Sequence, residues 1–285
     1  MRPSQVVRHA AGYLEGHGVE SPLSTAEVLL ANILGTSRSA LYTRQERLSS
    51  TEAKTFGRAL CRRCDGQPLQ HITGEQGFRR LMLTVRPGVF IPRPETEVLV
   101  DVALRAIAGI EAPVVIDVGT GSGAVALAIA DEHRGARVWA TDRSPEAVAL
   151  ARENADRLHL TVDVVAGDLL TGVPDALRGH VDLVVSNPPY VRAQEFAALP
   201  GDVQADPVTA LVGGLDVVER LADEAASWLR AGGHLAIEIG ETQGTEVCAA
   251  LSSRGYDDAA ITPDLTGRDR VVLCRVDRDR AKRRP

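Results

Sequence analysis

Apolar and polar positions follow two rhythms along this chain. Over residues 1 to about 70 the apolar side chains recur as they do on short amphipathic helices. Ser24-Thr25-Ala26-Glu27 precedes Val28-Leu29-Leu30 in a stretch that stops near Gly35, the signature of a capped helix. Ser50-Thr51-Glu52 opens another, running through Phe56, Ala59 and Leu60 to Gly66. A small helical bundle without chemistry of its own is predicted. From Pro68 to Pro94 the texture changes: Gly74, Gly77, Pro87, Gly88 and Pro92 punctuate β-prone pieces such as Leu81 to Val85, which predicts a hairpin-like connector.

From about residue 95 strand-like and helix-like segments alternate, which predicts a parallel sheet covered by helices. The strands fall at Val114–Val118, Arg137–Thr141, Val162–Val165, Val181–Val185 and Leu235–Ile239, with late β-prone runs near Ala259–Ile261 and Val271–Leu273. Ser144-Pro145-Glu146 supplies an N-cap, a first-turn proline and an early carboxylate to a helix burying Ala147, Val148, Leu150 and Ala151. A helix through Leu221, Ala225 and Leu229 is expected to end at Gly232-Gly233.

Composition adds exclusions. Of the 285 residues 44% are hydrophobic and 25% charged, as in ordinary globular proteins, and the length suits two domains. No apolar run reaches signal-peptide or membrane-span length, so a cytoplasmic protein is expected. The four cysteines make no disulfide framework, and Cys61-x-x-Cys64 lacks a second ligand pair, so no metal is expected. A net charge of −6 argues against a phosphate-gripping surface. Basic residues gather only in the tail from Arg275 through Arg278, Arg280 and Lys282 to Arg284, a solvated end.

The chemistry concentrates in a few places. Asp117-Val118-Gly119-Thr120-Gly121-Ser122-Gly123 lies between the first strand and a helix, where glycines let a ligand approach the backbone. The spacing is Gly-x-Gly-x-Gly, unlike the dinucleotide fingerprint. Asp142 ends the next strand, where a carboxylate can accept from both ribose hydroxyls, and Asp168, before Leu169, ends the third, within reach of an adenine amino group. Ligands of open α/β sheets bind at the carboxyl ends of strands, so these positions converge. The set resembles class I methyltransferases that bind S-adenosylmethionine.

The fourth strand ends Ser186-Asn187-Pro188-Pro189-Tyr190, two prolines fixing a stiff turn. An amide nitrogen is a poor nucleophile because its lone pair is delocalised. The Asn187 oxygen and the Pro188 carbonyl can hold both its N–H bonds, and Tyr190 can stack on the flat group, so that catalysis is positioning and desolvation. The motif resembles that of amino-methyltransferases, whose targets are adenine N6, exocyclic amines of RNA and glutamine amides.

Pro68-Leu69-Gln70-His71-Ile72-Thr73-Gly74 and Phe90-Ile91-Pro92-Arg93-Pro94-Glu95-Thr96-Glu97 look like the release factor glutamine methyltransferase family, and the likeness spans essentially the whole chain. It continues through Asp206 to Leu211, Glu238-Ile239-Gly240 with Gln243-Gly244, and Asp264 to Arg270. The same proline segment also reads as a stiff linker into a helix capped by Thr96. The resemblance implies a helical substrate-recognition domain at 1–70, a hairpin connector at 71–93, a seven-stranded Rossmann-like methyltransferase domain at 94–278, and a basic tail at 279–285. It implies S-adenosylmethionine held by Gly119, Thr120, Gly121, Ser122, Gly123, Asp142, Asp168, Leu169 and Asn187, with Asn187, Pro188, Pro189 and Tyr190 as the catalytic clamp. The implied substrate is the glutamine of the Gly-Gly-Gln loop of class I peptide chain release factors, methylated at N5 by a monomer touching neither nucleic acid nor membrane. A ribosomal protein glutamine or a nucleic acid adenine are the alternative substrates. The chain departs from the family in Asp206-Pro207 where Glu-Pro is usual, in a short Val212–Asp216 stretch, and in Leu169 at an often aromatic position.

Overall fold

The computed structural model describes residues 1–276, so the basic tail at 279–285 lies outside the described residues. Residues 1–75 with 200–205 form one compact unit, and residues 76–199 with 206–276 form a second.

The first unit carries helices α1 (Pro3–Gly16), α2 (Pro22–Leu34), α3 (Ala40–Thr43), α4 (Ser50–Cys64) and α5 (Leu69–Thr73). Val7, Ala10 and Leu14, spaced to share one face of α1, pack with Ala26, Leu29 and Leu30 of α2, Leu41 of α3, and Phe56 and Ala59 of α4. Ser49 caps α4 reciprocally with Glu52: Ser49 Oγ accepts from the Glu52 N–H at 3.2 Å, and Glu52 returns the bond at 2.6 Å. α2 starts two residues before the expected Ser24, because Pro22 suits its first turn. The connector also begins later than Pro68. Leu69–Thr73 winds into a helical turn closed by Gly74, whose N–H donates to Gln70 O at 2.7 Å.

In the second unit a hairpin, β1 (Glu75–Phe78) and β2 (Leu81–Thr84), is followed by a 3₁₀ turn at Pro94–Thr96 and α6 (Glu97–Ile107). Then come β3 (Val114–Val118), α7 (Ala124–Glu132), β4 (Arg137–Asp142), α8 (Pro145–Leu158), β5 (Val162–Ala166) and β6 (Val181–Ser186). After α9 (Gly201–Gln204), which belongs to the helical unit, follow α10 (Val208–Leu211), α11 (Leu215–Trp228), β7 (Leu229–Glu238), α12 (Gly244–Ser253), β8 (Tyr256–Pro263) and β9 (Asp269–Val276). The sheet is seven-stranded in the order β5-β4-β3-β6-β7-β9-β8, parallel except at β9 and β8.

Side chains alternate between its faces. Val115, Ala140 and Val185 meet α6, α7 and α8, whereas Ile116, Val184 and Ile237 meet α11 and α12. Gly232-Gly233 does not end a helix. α11 stops at Trp228 and the pair lies inside β7, where the register jumps from Val181↔Leu229 to Leu183↔His234. The extra residues are absorbed as a bulge. No helix among the described residues is long and apolar enough to cross a membrane.

Two polar side chains fasten the hairpin. Arg79, in its turn, binds Glu132 of α7 and Asp101 of α6, and these carboxylates raise its already high pKa further. Asn154 of α8, fully buried, accepts from Thr84 N at 2.8 Å and donates to Thr84 O at 3.0 Å and to Ser122 O at 2.9 Å. Asn154→Ala would strand those backbone groups, and a loss of about 2–3 kcal/mol is expected in chemical denaturation.

Candidate functional site

The carboxyl edge of the parallel strands is built as one piece. Gly119 leaves β3 with φ 74°, and a Cβ built there meets nothing within 4 Å, so the turn presents bare backbone to open space. The N–H groups of Gly119 and Thr120 both donate to Thr141 O at 2.9 Å, tying the turn to β4. Asp117 sits behind it, buried, accepting from Thr120 Oγ1 at 2.6 Å and from Ala126 N at 3.2 Å. Burial pushes its carboxyl up to about 7. Asp142 ends β4 and bridges two turns: Gly121 N donates to one oxygen and Ser144 N to the other, each at 2.9 Å. Each oxygen keeps a second lone pair. Thr141 Oγ1 donates to Leu169 O at 2.7 Å, and Gly167 N to Asp142 O at 3.0 Å, which locks the loop after β5 to the same edge.

On the other side of β3, Ser186 Oγ donates to Val118 O at 2.7 Å, fixing where Asn187-Pro188-Pro189-Tyr190 begins. Asn187 Nδ2 donates to Thr96 Oγ1 at 3.2 Å. Behind them lies Glu238, the last residue of β7 and buried, its Oε2 without a hydrogen-bond partner. Burial pushes this carboxyl up to about 7, against the opposing pull of the neighbouring Thr96 and Asn187 side chains and the charge of Arg270. Burial likewise carries the Tyr190 hydroxyl up to about 12. Gln243 pins the end of the turn, donating to Tyr190 O at 2.9 Å while its own oxygen accepts from Gly240 N at 2.9 Å. A short parallel bridge, Val191 N to Leu211 O at 2.9 Å and Gly213 N to Val191 O at 3.1 Å, holds the chain beyond.

Phe90 and Pro92 close a further wall, with the Arg93 guanidinium over the Phe90 ring at 5.4 Å. Asp206 anchors this segment: its fully buried carboxylate accepts from Ile91 N at 3.1 Å and pairs with Arg93 at 2.5 Å. Desolvation raises its pKa more than Arg93 lowers it.

These parts enclose one cleft of about 190 Å³. Gly119, Thr120, Gly121, Ser122, Asp142, Asp168, Leu169, Asn187, Pro188, Pro189 and Tyr190 all line it. Gly123 does not; it stands behind the turn as the residue before α7, its N–H donating to Thr120 O at 2.9 Å. Asp168 lines the cleft but is half-exposed, and Arg220 of α11 holds one of its oxygens at 2.6 Å. Thr96 does not cap α6 with its hydroxyl, which is engaged by Asn187 instead. Sequence reasoning missed Arg220, Asn154 and the bonding role of Gln243, single polar residues on or at the ends of helices with no local signal. A bare glycine turn, a carboxylate hydrogen-bonded to it and an aliphatic Leu169 wall fit a nucleoside. The Asn-Pro-Pro-Tyr turn adds acceptors for a flat amide or amine.

Residues 5–74 match the family described as PrmC N-terminal domain, and residues 81–200 the Methyltransferase small domain. A release factor glutamine methyltransferase of Moorella thermoacetica is 42% identical over 277 residues, 94% of this chain and 96% of that protein. One from Escherichia coli K12 is 37% identical over 263 residues, 90% of this chain and 93% of that protein. The hMettl16 catalytic domain, solved in complex with MAT2A 3'UTR hairpin 6, has a TM-score of 0.56 at 18% identity, covering 81% of this chain and 82% of that one. A ribosomal protein L11 methylase of Lactobacillus delbrueckii has a TM-score of 0.50 at 24% identity, covering 68% and 84%. These two structures share the fold.

Gly213 packs directly against the Asn-Pro-Pro-Tyr turn: a Cβ there would lie 2.4 Å from Pro189 O. Gly213→Ala is expected to shift the Asn-Pro-Pro-Tyr turn and cost about 1–3 kcal/mol in denaturant unfolding.

Proposed function

The chain belongs to the release factor glutamine methyltransferase family, and on that premise we propose that it methylates N5 of the glutamine in the Gly-Gly-Gln loop of class I peptide chain release factors. S-adenosylmethionine is the methyl donor, and when bound it supplies a methyl carbon already activated by a positive sulfur. The observation that carries the proposal is the Asn187-Pro188-Pro189-Tyr190 turn opening into the cleft beside the glycine turn.

The residues have separable tasks. Gly119, Thr120, Gly121 and Ser122 offer backbone at the turn while Gly123 starts the helix behind it, and Asp142 has lone pairs left for ribose hydroxyls. Leu169 gives an apolar wall for the base, with Asp168 at its rim. Asn187 Oδ1 and the Pro188 carbonyl accept the two N–H bonds of the substrate amide, which turns its nitrogen toward the methyl carbon. The prolines keep these acceptors from relaxing, and the Tyr190 ring covers the amide plane. The Tyr190 hydroxyl, neutral at physiological pH even at its ordinary pKa and carried further up by burial, adds no charge that would attract water. Residues 1–70 serve recognition of the protein substrate, in the cytoplasm. A net charge of −6 supports a protein substrate over nucleic acid.

Methyl transfer from labelled S-adenosylmethionine to release factor, ribosomal proteins and DNA, followed by mass spectrometry, tests this. One methyl on the Gly-Gly-Gln glutamine is expected; label confined to another substrate would overturn the substrate assignment. Asn187→Ala is expected to lower kcat about 100-fold or more, with the cofactor Kd from calorimetry little changed. Asp142→Ala is expected to raise that Kd roughly tenfold or more.

A further inference from the structure

We propose that Glu238, acting with Thr96, is the positioning residue that decides which end of the Asn187 amide faces the cleft. This rests on the amide-clamp reading above and deepens it. An asparagine side chain is nearly symmetric in shape, so only its hydrogen-bond partners distinguish oxygen from nitrogen. The clamp works in one orientation alone: the oxygen must point at the substrate amide, whose nitrogen can only donate. Were Asn187 reversed, its NH₂ would meet the substrate NH₂, donor against donor.

The surroundings of Asn187 select the working orientation. Its Nδ2 donates to Thr96 Oγ1 at 3.2 Å. Ser186 registers with Ile237 across the β6–β7 pairing, so Glu238 comes next to Asn187, and the Thr96 and Asn187 side chains both pull its pKa down, as donors beside a carboxylate do. An ionised carboxylate accepts only, so the Thr96 hydroxyl must donate to it, leaving the Thr96 oxygen free only as an acceptor. Every partner behind Asn187 is then an acceptor, and the NH₂ end is drawn inward. Thr96 and Glu238 are 3% and 2% exposed, so water does not substitute for them.

Protonation would undo the selection. A neutral Glu238 carries a donor of its own, and its Oε2 is already without a partner, so the inward side no longer demands NH₂. The charged and titratable groups facing Glu238 are Arg270 from β9, which favours the anion, and Glu95 before α6, which opposes it. Arg93 and Arg270 also face Tyr190, the neighbouring hydroxyl. Because burial raises the Glu238 pKa to about 7, the anion prevails above that pH and is lost below it. The kcat of the wild-type enzyme therefore rises as pH increases through about 7.

The test measures kcat on release factor against pH, with cofactor Kd by calorimetry, for the wild-type chain, Glu238→Gln, Thr96→Val and Thr96→Ser. Glu238→Gln should lose roughly 10- to 100-fold in kcat at pH 8.5, keep its cofactor Kd within about threefold, and show no rise in kcat around neutral pH. Thr96→Val should fall similarly, and Thr96→Ser should restore most of what Thr96→Val loses. Wild-type kcat and pH profile in Glu238→Gln would overturn the proposal. Should that variant fail to fold, the Thr96 pair decides: full kcat in Thr96→Val overturns the proposal, and rescue by serine supports it. A wild-type chain inactive on release factor would mark failure of the substrate assignment, and the same variants would then be read on the substrate it does methylate.

Discussion

Parallel pairing of β3 with β4 on one side and β6 on the other fixes what else this molecule can do. The chain leaves β3 at Val118 with strands ending beside it in both directions, and the helices that follow depart to opposite faces. A crevice opens where the connections diverge, the general location of ligand sites in such sheets. The glycine turn leaves one lip of that crevice, the Asn-Pro-Pro-Tyr turn the other. Ser186 Oγ donating to Val118 O and the Gly119 and Thr120 amides donating to Thr141 O hold the three strand ends in register. Displacement of β6 by one residue would move Asn187 away from Thr96 and turn its neighbours to the wrong face.

Around this edge the protein buries carboxylates and gives each a different solution. Asp206 is matched by the Arg93 guanidinium and the Ile91 amide, so it behaves as a strut between two segments of the cleft wall. Asp117 is given a hydroxyl and a backbone amide and orders the start of α7. Glu238 is the least satisfied, with one oxygen unpartnered and Arg270 as its nearby cation. Burying a carboxylate in this way is costly, and its place directly behind Asn187 relates that cost to the clamp.

Much of this was legible in the sequence where the determining forces are local. The apolar run Val114–Val118 is β3 to the residue, and Ser144-Pro145-Glu146 starts α8, with Ser144 Oγ accepting from Ala147 N. Glycine spacing and the double proline located both lips of the cleft because the backbone conformations they impose are short-range. Where the deciding partner is distant the reading fell short. Gly232-Gly233 looked like a helix stop because nothing nearby reveals that β7 must bulge against Val181. Leu69–Thr73 looked like part of the hairpin connector, although Leu69 and Ile72 find partners in the helical core and favour a turn of helix. Thr96 resembled a cap by position, yet its hydroxyl is engaged by a residue 91 positions away. Arg220 and Glu238 acquire meaning only through neighbours that folding brings to them.

The central claim is that the oxygen of Asn187, and not its nitrogen, meets the substrate amide. A high-resolution structure of the full chain with S-adenosylhomocysteine and a glutamine-containing Gly-Gly-Gln peptide or release factor measures it directly. The account predicts the glutamine nitrogen within hydrogen-bond distance of both Asn187 Oδ1 and the Pro188 carbonyl, with Asn187 Nδ2 still on Thr96. A glutamine amide seated elsewhere, or Asn187 turned so that its Nδ2 faces the substrate, would contradict it.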